Sequence, residues 1–161
     1  MAETRVGLGF DVHRFGGPPP IVVGGVVVDA GRGLDATSDG DVVAHAVADA
    51  VLGATNLGDL GTHFPSSDER WGGADSLDLL SECVRMARER FVDLVAVDVT
   101  VISQSVQVGP YREAIRSGIA GAVGLSPDRV SIKATSTDHI GSIGRDEGMA
   151  AMAVVTVSVD L

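Results

Sequence analysis

The chain has 161 residues, 45% hydrophobic and 21% charged, a length and mix that suit one soluble unit, 1–161, with a core of its own. Its formal net charge of −10 argues against binding nucleic acid, which needs Lys and Arg to neutralise phosphates, but leaves room for a small phosphorylated ligand in one pocket. No apolar run reaches the roughly 20 residues of a membrane span, and no signal-peptide pattern opens the chain. One cysteine, Cys83, excludes an internal disulfide, so the expected location is a reducing cytoplasm.

In chain order, Arg5 to Phe15 alternates as a strand does, and Pro18-Pro19-Pro20 ends it. Ile21-Val22-Val23 and Val26-Val27-Val28 flank Gly24-Gly25, the signal of a two-residue hairpin. After a glycine-rich loop from Ala30 to Gly40, Ser38 stands three before Asp41 as a variant capping box and opens a helix to Thr55. A second loop spans Asn56 to Ala74. Asp75 or Ser76 then caps a helix to about Phe91, with Leu77, Leu80, Val84 and Ala87 inward. Leu94 to Ile102 reads as a strand, Tyr111 to Val123 as a helix closed by Gly124, and Val130 to Thr135 and Ala151 to Val159 as strands. The order implies an α/β chain of the α+β sandwich kind: a small mixed four-stranded sheet plus an N-terminal hairpin, with helices on one face. Valines point both ways along two of the strands, so the open face needs a cover, and an oligomer interface is expected.

The chemistry concentrates in a few places. Asp11 and His13, two apart on a strand, project to one side. Asp41, His45 and Asp49 recur every four residues and make a polar stripe on an apolar helix. Two imidazoles and a carboxylate form a three-ligand set for Zn²⁺ with one position open, and Asp41 and Asp49 offer carboxylates to hold a histidine tautomer. By themselves such residues are more often a hydrogen-bonded pair on a strand and an unrelated helix histidine than a metal site. Lys133-Ala134-Thr135-Ser136-Thr137-Asp138 places consecutive hydroxyls, a lysine and a carboxylate where a phosphate and Mg²⁺ could sit; alone it is also an ordinary Ser/Thr turn.

Taken together, these stretches resemble the 2-C-methyl-D-erythritol 2,4-cyclodiphosphate synthase family. The matching segments include Gly9-Phe10-Asp11-Val12-His13, Ser38-Asp39-Gly40-Asp41-Val42, Ala44-His45-Ala46, Leu57-Gly58-Asp59-Leu60-Gly61 and Phe64-Pro65. Gly73-Ala74-Asp75-Ser76, Lys133-Ala134-Thr135 and Gly144-Arg145-Asp146-Glu147-Gly148 follow in the same order, across nearly the whole chain. The resemblance implies a homotrimer with sites at subunit interfaces, and cyclisation of a cytidine diphosphate substrate with release of CMP. It implies Asp11, His13 and His45 as Zn²⁺ ligands, the first two also facing substrate, and Asp138 as ligand to a second metal, Mg²⁺ or Mn²⁺. Asp59 and Gly61 would meet the ribose, and the segment with Ser103, Gln104, Ser105 and Gly109 the cytosine. Thr135, Ser136, Thr137 and Asp138 would hold the diphosphate, while Arg145 would lie near a central cavity able to take an isoprenoid diphosphate. Thr37, Ser38, Phe64, Asp68 and Ser142 complete the implied substrate set, with Thr37 and Ser136 at catalytic positions.

Four departures bear on activity. Thr37 stands where the family has a transition-state histidine, and Val106-Gln107 replaces Pro-Lys in the cytosine loop. Ser136 varies a Thr-Thr-Thr run, and Asp138 replaces a glutamate; Ser66 also stands for a frequent aspartate. Besides an active cyclase, these allow a trimeric paralogue that binds metal and phosphate without efficient turnover. A zinc hydrolase of phosphate esters is a third reading.

Overall fold

The structure, a computed structural model, describes residues 2–90 and 92–160. Strand β1 (Ala2–Arg14) turns Gly7 and Gly9 inward and leaves Val6, Leu8, Phe10 and Val12 exposed on the other side. The two glycines are there because helix α1 (Val42–Ala54) lies directly on them. A Cβ on Gly7 would sit 1.9 Å from the Ala50 carbonyl oxygen, and one on Gly9 1.8 Å from that of Ala46. The same alternation carries Asp11 and His13 onto the helix-facing side.

The four-stranded sheet has the order β1-β6-β4-β5, with β4 (Val92–Ile102), β5 (Val130–Thr135) and β6 (Gly148–Asp160). β6 runs antiparallel to both β1 and β4, whereas β4 and β5 are parallel and joined through α4 (Arg112–Val123). One row of cross-strand partners, Gly9, Ala153, Val99 and Ile132, is buried on all four strands beneath the helices. The next row, Phe10, Met152, Thr100 and Lys133, lies on the open face. This is the mixed sheet with helices on one face that the pattern predicts. The hairpin of β2 (Ile21–Val23) and β3 (Val26–Asp29) also forms, with positive φ at both Gly24 and Gly25, as a tight hairpin turn demands.

Several expectations need correction. Ser38 does not open α1; Asp41 is its N-cap, its carboxylate accepting from Ala44 N–H at 3.0 Å. Asp41 also accepts from Gly24 N–H at 2.9 Å and Gly25 N–H at 2.8 Å, so one fully buried carboxylate ties the hairpin turn to the helix start. The loop 56–74 contains a short helix, α2 (Leu60–His63), and the segment before β6 another, α5 (Gly141–Gly144). Helix α3 (Ser76–Arg88) is capped by Asp75 and ends before the expected Phe91, which lies outside the described residues. Leu80, Val84 and Ala87 face the core as expected, but Leu77 is half-buried and Leu79 and Cys83 complete the stripe. Cys83 is fully buried, and burial pushes its thiol up to about 12, consistent with an inert core residue. α4 starts at Arg112 and ends at Gly124, whose left-handed φ of 70° closes it.

Candidate metal centre and substrate cleft

Because β1 and α1 touch through glycine and alanine backbones, the strand pair Asp11/His13 and the helix residue His45 converge. Asp11 Oδ2 lies 3.0 Å from His13 Nε2 and 3.1 Å from His45 Nδ1, and the two nitrogens are 3.4 Å apart. Among the described residues this is the one group of three or more metal-binding side chains whose ligand atoms fall within 4.8 Å of one another. Burial opposes ionisation of Asp11, yet the two adjacent imidazoles outweigh it and hold the carboxyl well below the usual range. The Asp11 carboxylate in turn raises His13 above its ordinary value against the effect of burial. One carboxylate and two imidazoles at the edge of an open cleft, their ligand atoms within 4.8 Å of one another, are a donor set fitted to a divalent cation.

The expected carboxylate partners of the histidines are wrong. Asp41 is occupied by the hairpin turn, and Asp49 accepts from Leu60 N–H at 2.8 Å, fixing the start of α2. Burial, countered in part by that bond, raises Asp49 from its ordinary value. The far nitrogen of His45, Nε2, lies instead 2.8 Å from Ser76 Oγ and 3.1 Å from Ser38 Oγ. Neither Ser76 nor Asp39, which binds Ser76, stood out by spacing; both belong to a second helix start and a loop far apart in sequence.

The triad borders a cleft of about 240 Å³ whose other walls include Thr37, Ser38, Leu60, Phe64, Trp71 and Leu79. Phe64 meets Trp71 edge to face at 4.9 Å between ring centroids. A second hollow, of about 340 Å³, is lined by Ser103, Val106, Gly109, Thr135 and Ser136. No residue lines both, so within one chain the expected metal site and the expected nucleotide and diphosphate segments stand apart. Ser142 borders a third depression together with His13.

The remaining predicted residues line neither of these first two clefts. Asp59 caps α2, accepting from the Thr62 N–H at 2.9 Å and hydroxyl at 2.8 Å, and Gly61 is the second residue of that helix. Asp68 pairs with Arg70, and Arg145 with Glu147 at 2.9 Å. Gln104 accepts from His139 N–H at 3.0 Å, and Ser105 donates to Asp146 at 2.6 Å. Thr137 donates to the Ile140 carbonyl, and Asp138 has a left-handed φ of 51°. In place of the family's proline ring, the Val106 N–H donates to Ser103 Oγ at 3.1 Å. His63 Nε2 lies 2.7 Å from the Leu57 carbonyl, so it is turned to the backbone.

The sequence model of the YgbB family matches residues 4–158. The chain belongs to the YgbB family. Among YgbB relatives, the 2-C-methyl-D-erythritol 2,4-cyclodiphosphate synthase of Idiomarina loihiensis is 49% identical, covering 95% of this chain and 96% of its own. That of Laribacter hongkongensis is 51% identical and covers 94% of each. Of the solved structures, the bifunctional IspDF of Campylobacter jejuni superposes with a TM-score of 0.96 at 39% identity over 99% of this chain, which spans 43% of that protein. A 2C-methyl-D-erythritol-2,4-cyclodiphosphate synthase solved with CDP gives 0.86 at 31% identity, covering 95% of this chain and 99% of its own. No helix among the described residues is long and apolar enough to cross a membrane.

Proposed function

We infer that this chain converts 4-diphosphocytidyl-2-C-methyl-D-erythritol 2-phosphate to 2-C-methyl-D-erythritol 2,4-cyclodiphosphate, releasing CMP. The observation that carries this is the Asp11–His13–His45 triad at the edge of a partly apolar cleft, in a chain about half identical to synthases of that name along nearly its full length. In this reaction the 2-phosphate attacks the β-phosphorus of the same molecule and the P–O bond to CMP breaks. The nucleophile is already ionised and the leaving phosphate is stable, so the protein must fold the substrate back on itself and neutralise charge. Zn²⁺ on the triad, and Mg²⁺ or Mn²⁺ with the diphosphate, would supply Lewis acidity at phosphate oxygens. Asp138 would supply one carboxylate to the second cation, which would keep substrate oxygens and water as its other ligands. Thr37 and Ser38 would donate hydroxyls from the cleft wall, and Thr135, Ser136 and Thr137 hydroxyls to the diphosphate.

Phe64, Trp71 and Leu79 would enclose the branched carbon chain and exclude water from one side of it. Asp59 and Gly61 would meet the ribose, and residues 103–109 the cytosine, through a loop whose Ser103–Val106 bond takes over from a proline ring. Two separate hollows in one chain favour a site completed by a neighbour, and the exposed row Val6, Leu8, Phe10 and Val12 favours a homotrimer built on that sheet face. On its axis an isoprenoid diphosphate near Arg145 would be a further ligand. Action as one unit, 1–161, in the cytoplasm completes the reading.

The test is direct: purified protein with Zn²⁺ and Mg²⁺ is given the diphosphocytidyl substrate, and products are resolved by phosphorus NMR. CMP together with the cyclic diphosphate is expected, and His45→Ala should lose both the bound zinc and the cyclic product. Binding without CMP would favour the repurposed paralogue that Thr37 suggests, and a linear product would favour a hydrolase.

A further inference from the structure

We propose that Ser76, itself oriented by Asp39, is a positioning residue that sets the tautomer and aim of His45 toward the metal. The inference rests on the metal reading of the triad and concerns residues outside it. Ser76 is almost fully buried at the first turn of α3, and Asp39 grips it twice. The Asp39 carboxylate accepts from Ser76 N–H at 3.0 Å and from the Ser76 hydroxyl. A third donor, Asp41 N–H at 3.0 Å, holds the same carboxylate in place.

The direction of the chain of bonds follows from proton counting. An ionised carboxylate can only accept, so the single hydroxyl hydrogen of Ser76 is committed to Asp39. The Ser76 oxygen then has only lone pairs left for its other neighbours, Ser38 Oγ at 3.4 Å and His45 Nε2 at 2.8 Å. The contact with His45 is a hydrogen bond only if Nε2 carries the ring proton. With a cation at the triad, the neutral ring would then offer it the Nδ1 lone pair, at the atom that lies 3.1 Å from Asp11 Oδ2 and 3.4 Å from His13 Nε2. Carboxylate, hydroxyl and imidazole thus form a relay that presents one ring nitrogen to the ion, a hydroxyl-extended form of the carboxylate–histidine arrangement at zinc sites. Ser38, at 3.1 Å from Nε2, lies in the cleft wall, accepts from Gly40 N–H at 3.3 Å and bonds no carboxylate among the described residues, so its hydroxyl hydrogen is not committed as that of Ser76 is.

Zinc affinity is measured by competition with a chromophoric chelator for wild type, Ser76→Ala, Ser76→Thr and Ser38→Ala. In parallel, histidine-labelled, zinc-loaded protein is examined by nitrogen-15 NMR for the His45 ring N–H. Alanine keeps the Ser76 N–H bond to Asp39, so α3 retains its start. Ser76→Ala should weaken zinc by about 10- to 100-fold, and Ser76→Thr should restore most of that loss. In wild type the Nε2–H signal should be shifted downfield and protected from exchange, and in Ser76→Ala both properties should be lost. An unprotected Nε2–H in wild type would overturn the proposal without any substitution being needed. So would zinc affinities of wild type and Ser76→Ala within twofold, or a larger loss in Ser38→Ala. Failure of wild type to bind zinc at all would instead refute the metal reading on which the proposal stands.

Discussion

Asp41 shows how one buried carboxylate can do more for the fold than for the chemistry. Burial pushes it up to about 6, against the pull of the backbone donors from Ala44, Gly24 and Gly25. Asn at this position has one acceptor oxygen and must turn an NH₂ toward a backbone N–H, so Asp41→Asn should cost about 1–3 kcal/mol near pH 4. The folded state binds the Asp41 proton more tightly than the unfolded chain does. Its contribution is therefore complete below about pH 4 and is lost as pH rises through about 6, some 3 kcal/mol for a shift from 3.8 to about 6. In urea titrations from pH 4 to 7, the stability gap between wild type and Asp41→Asn should narrow as pH rises; a widening gap would contradict this account. Thr37 bears on rate instead. It borders the cleft beside the triad. Thr37→His should raise turnover roughly 10- to 100-fold at unchanged zinc content, the yield of one charge-assisted contact in the transition state. Equal or lower turnover would mean that the hydroxyls of Thr37 and Ser38 already supply it.

The pairing of β1 with α1 is the device on which the site depends. Gly9 permits backbone contact with Ala46, one residue from His45, so the separation of strand and helix is set by the absence of a single carbon. Gly9→Ala would force the helix outward, with an expected loss of about 3 kcal/mol in stability and a measurable fall in zinc affinity as His45 withdraws from Asp11. Gly53, on the same helix, has nothing within 4 Å of the place its Cβ would take. Gly53→Ala should accordingly stabilise the protein by about 0.4–1 kcal/mol with zinc affinity unchanged. Thermal unfolding and chelator competition on the two variants separate the close approach from a general effect of adding a methyl group. If both variants behave alike, the glycine contact does not set the geometry.

Across the molecule, the open half of the sheet carries the apolar side chains and the far half carries polar ones. Leu8 is 62% exposed and Phe10 54%, and their cross-strand partners Val154 and Met152 extend the same patch. Lys133 and Asp98 pair at 2.7 Å on β5 and β4, away from it. Light scattering at micromolar concentration should give the mass of a trimer, and Leu8→Glu should shift it toward monomer while leaving zinc affinity within about threefold. Activity should fall with the trimer if the two hollows of neighbouring chains form one site. A monomeric wild type with full turnover would refute the shared site.

Strand alternation, the Gly24-Gly25 turn and the helix ending at Gly124 could be read from residue types and spacing, whereas Asp11, His13 and His45 were candidates that only the family resemblance joined into one ligand set. The first three depend on neighbours along the chain, whose periodicity places side chains on a face. Even the meeting of strand and helix left a trace, because Gly7 and Gly9 continue the alternation of Asp11 and His13 on one side of β1. Spacing failed with the carboxylates. Asp41, His45 and Asp49 do share a helix face, yet a carboxylate bonds to whichever donors other elements bring within about 3 Å. For Asp41 these were the turn amides of a hairpin, and for Asp49 the first amide of α2. The partner of His45 came from the start of α3 and the loop at Asp39, two segments that only the packing of α3 against α1 brings together. Periodicity along one element fixes direction, while hydrogen-bond partners across elements depend on how those elements pack.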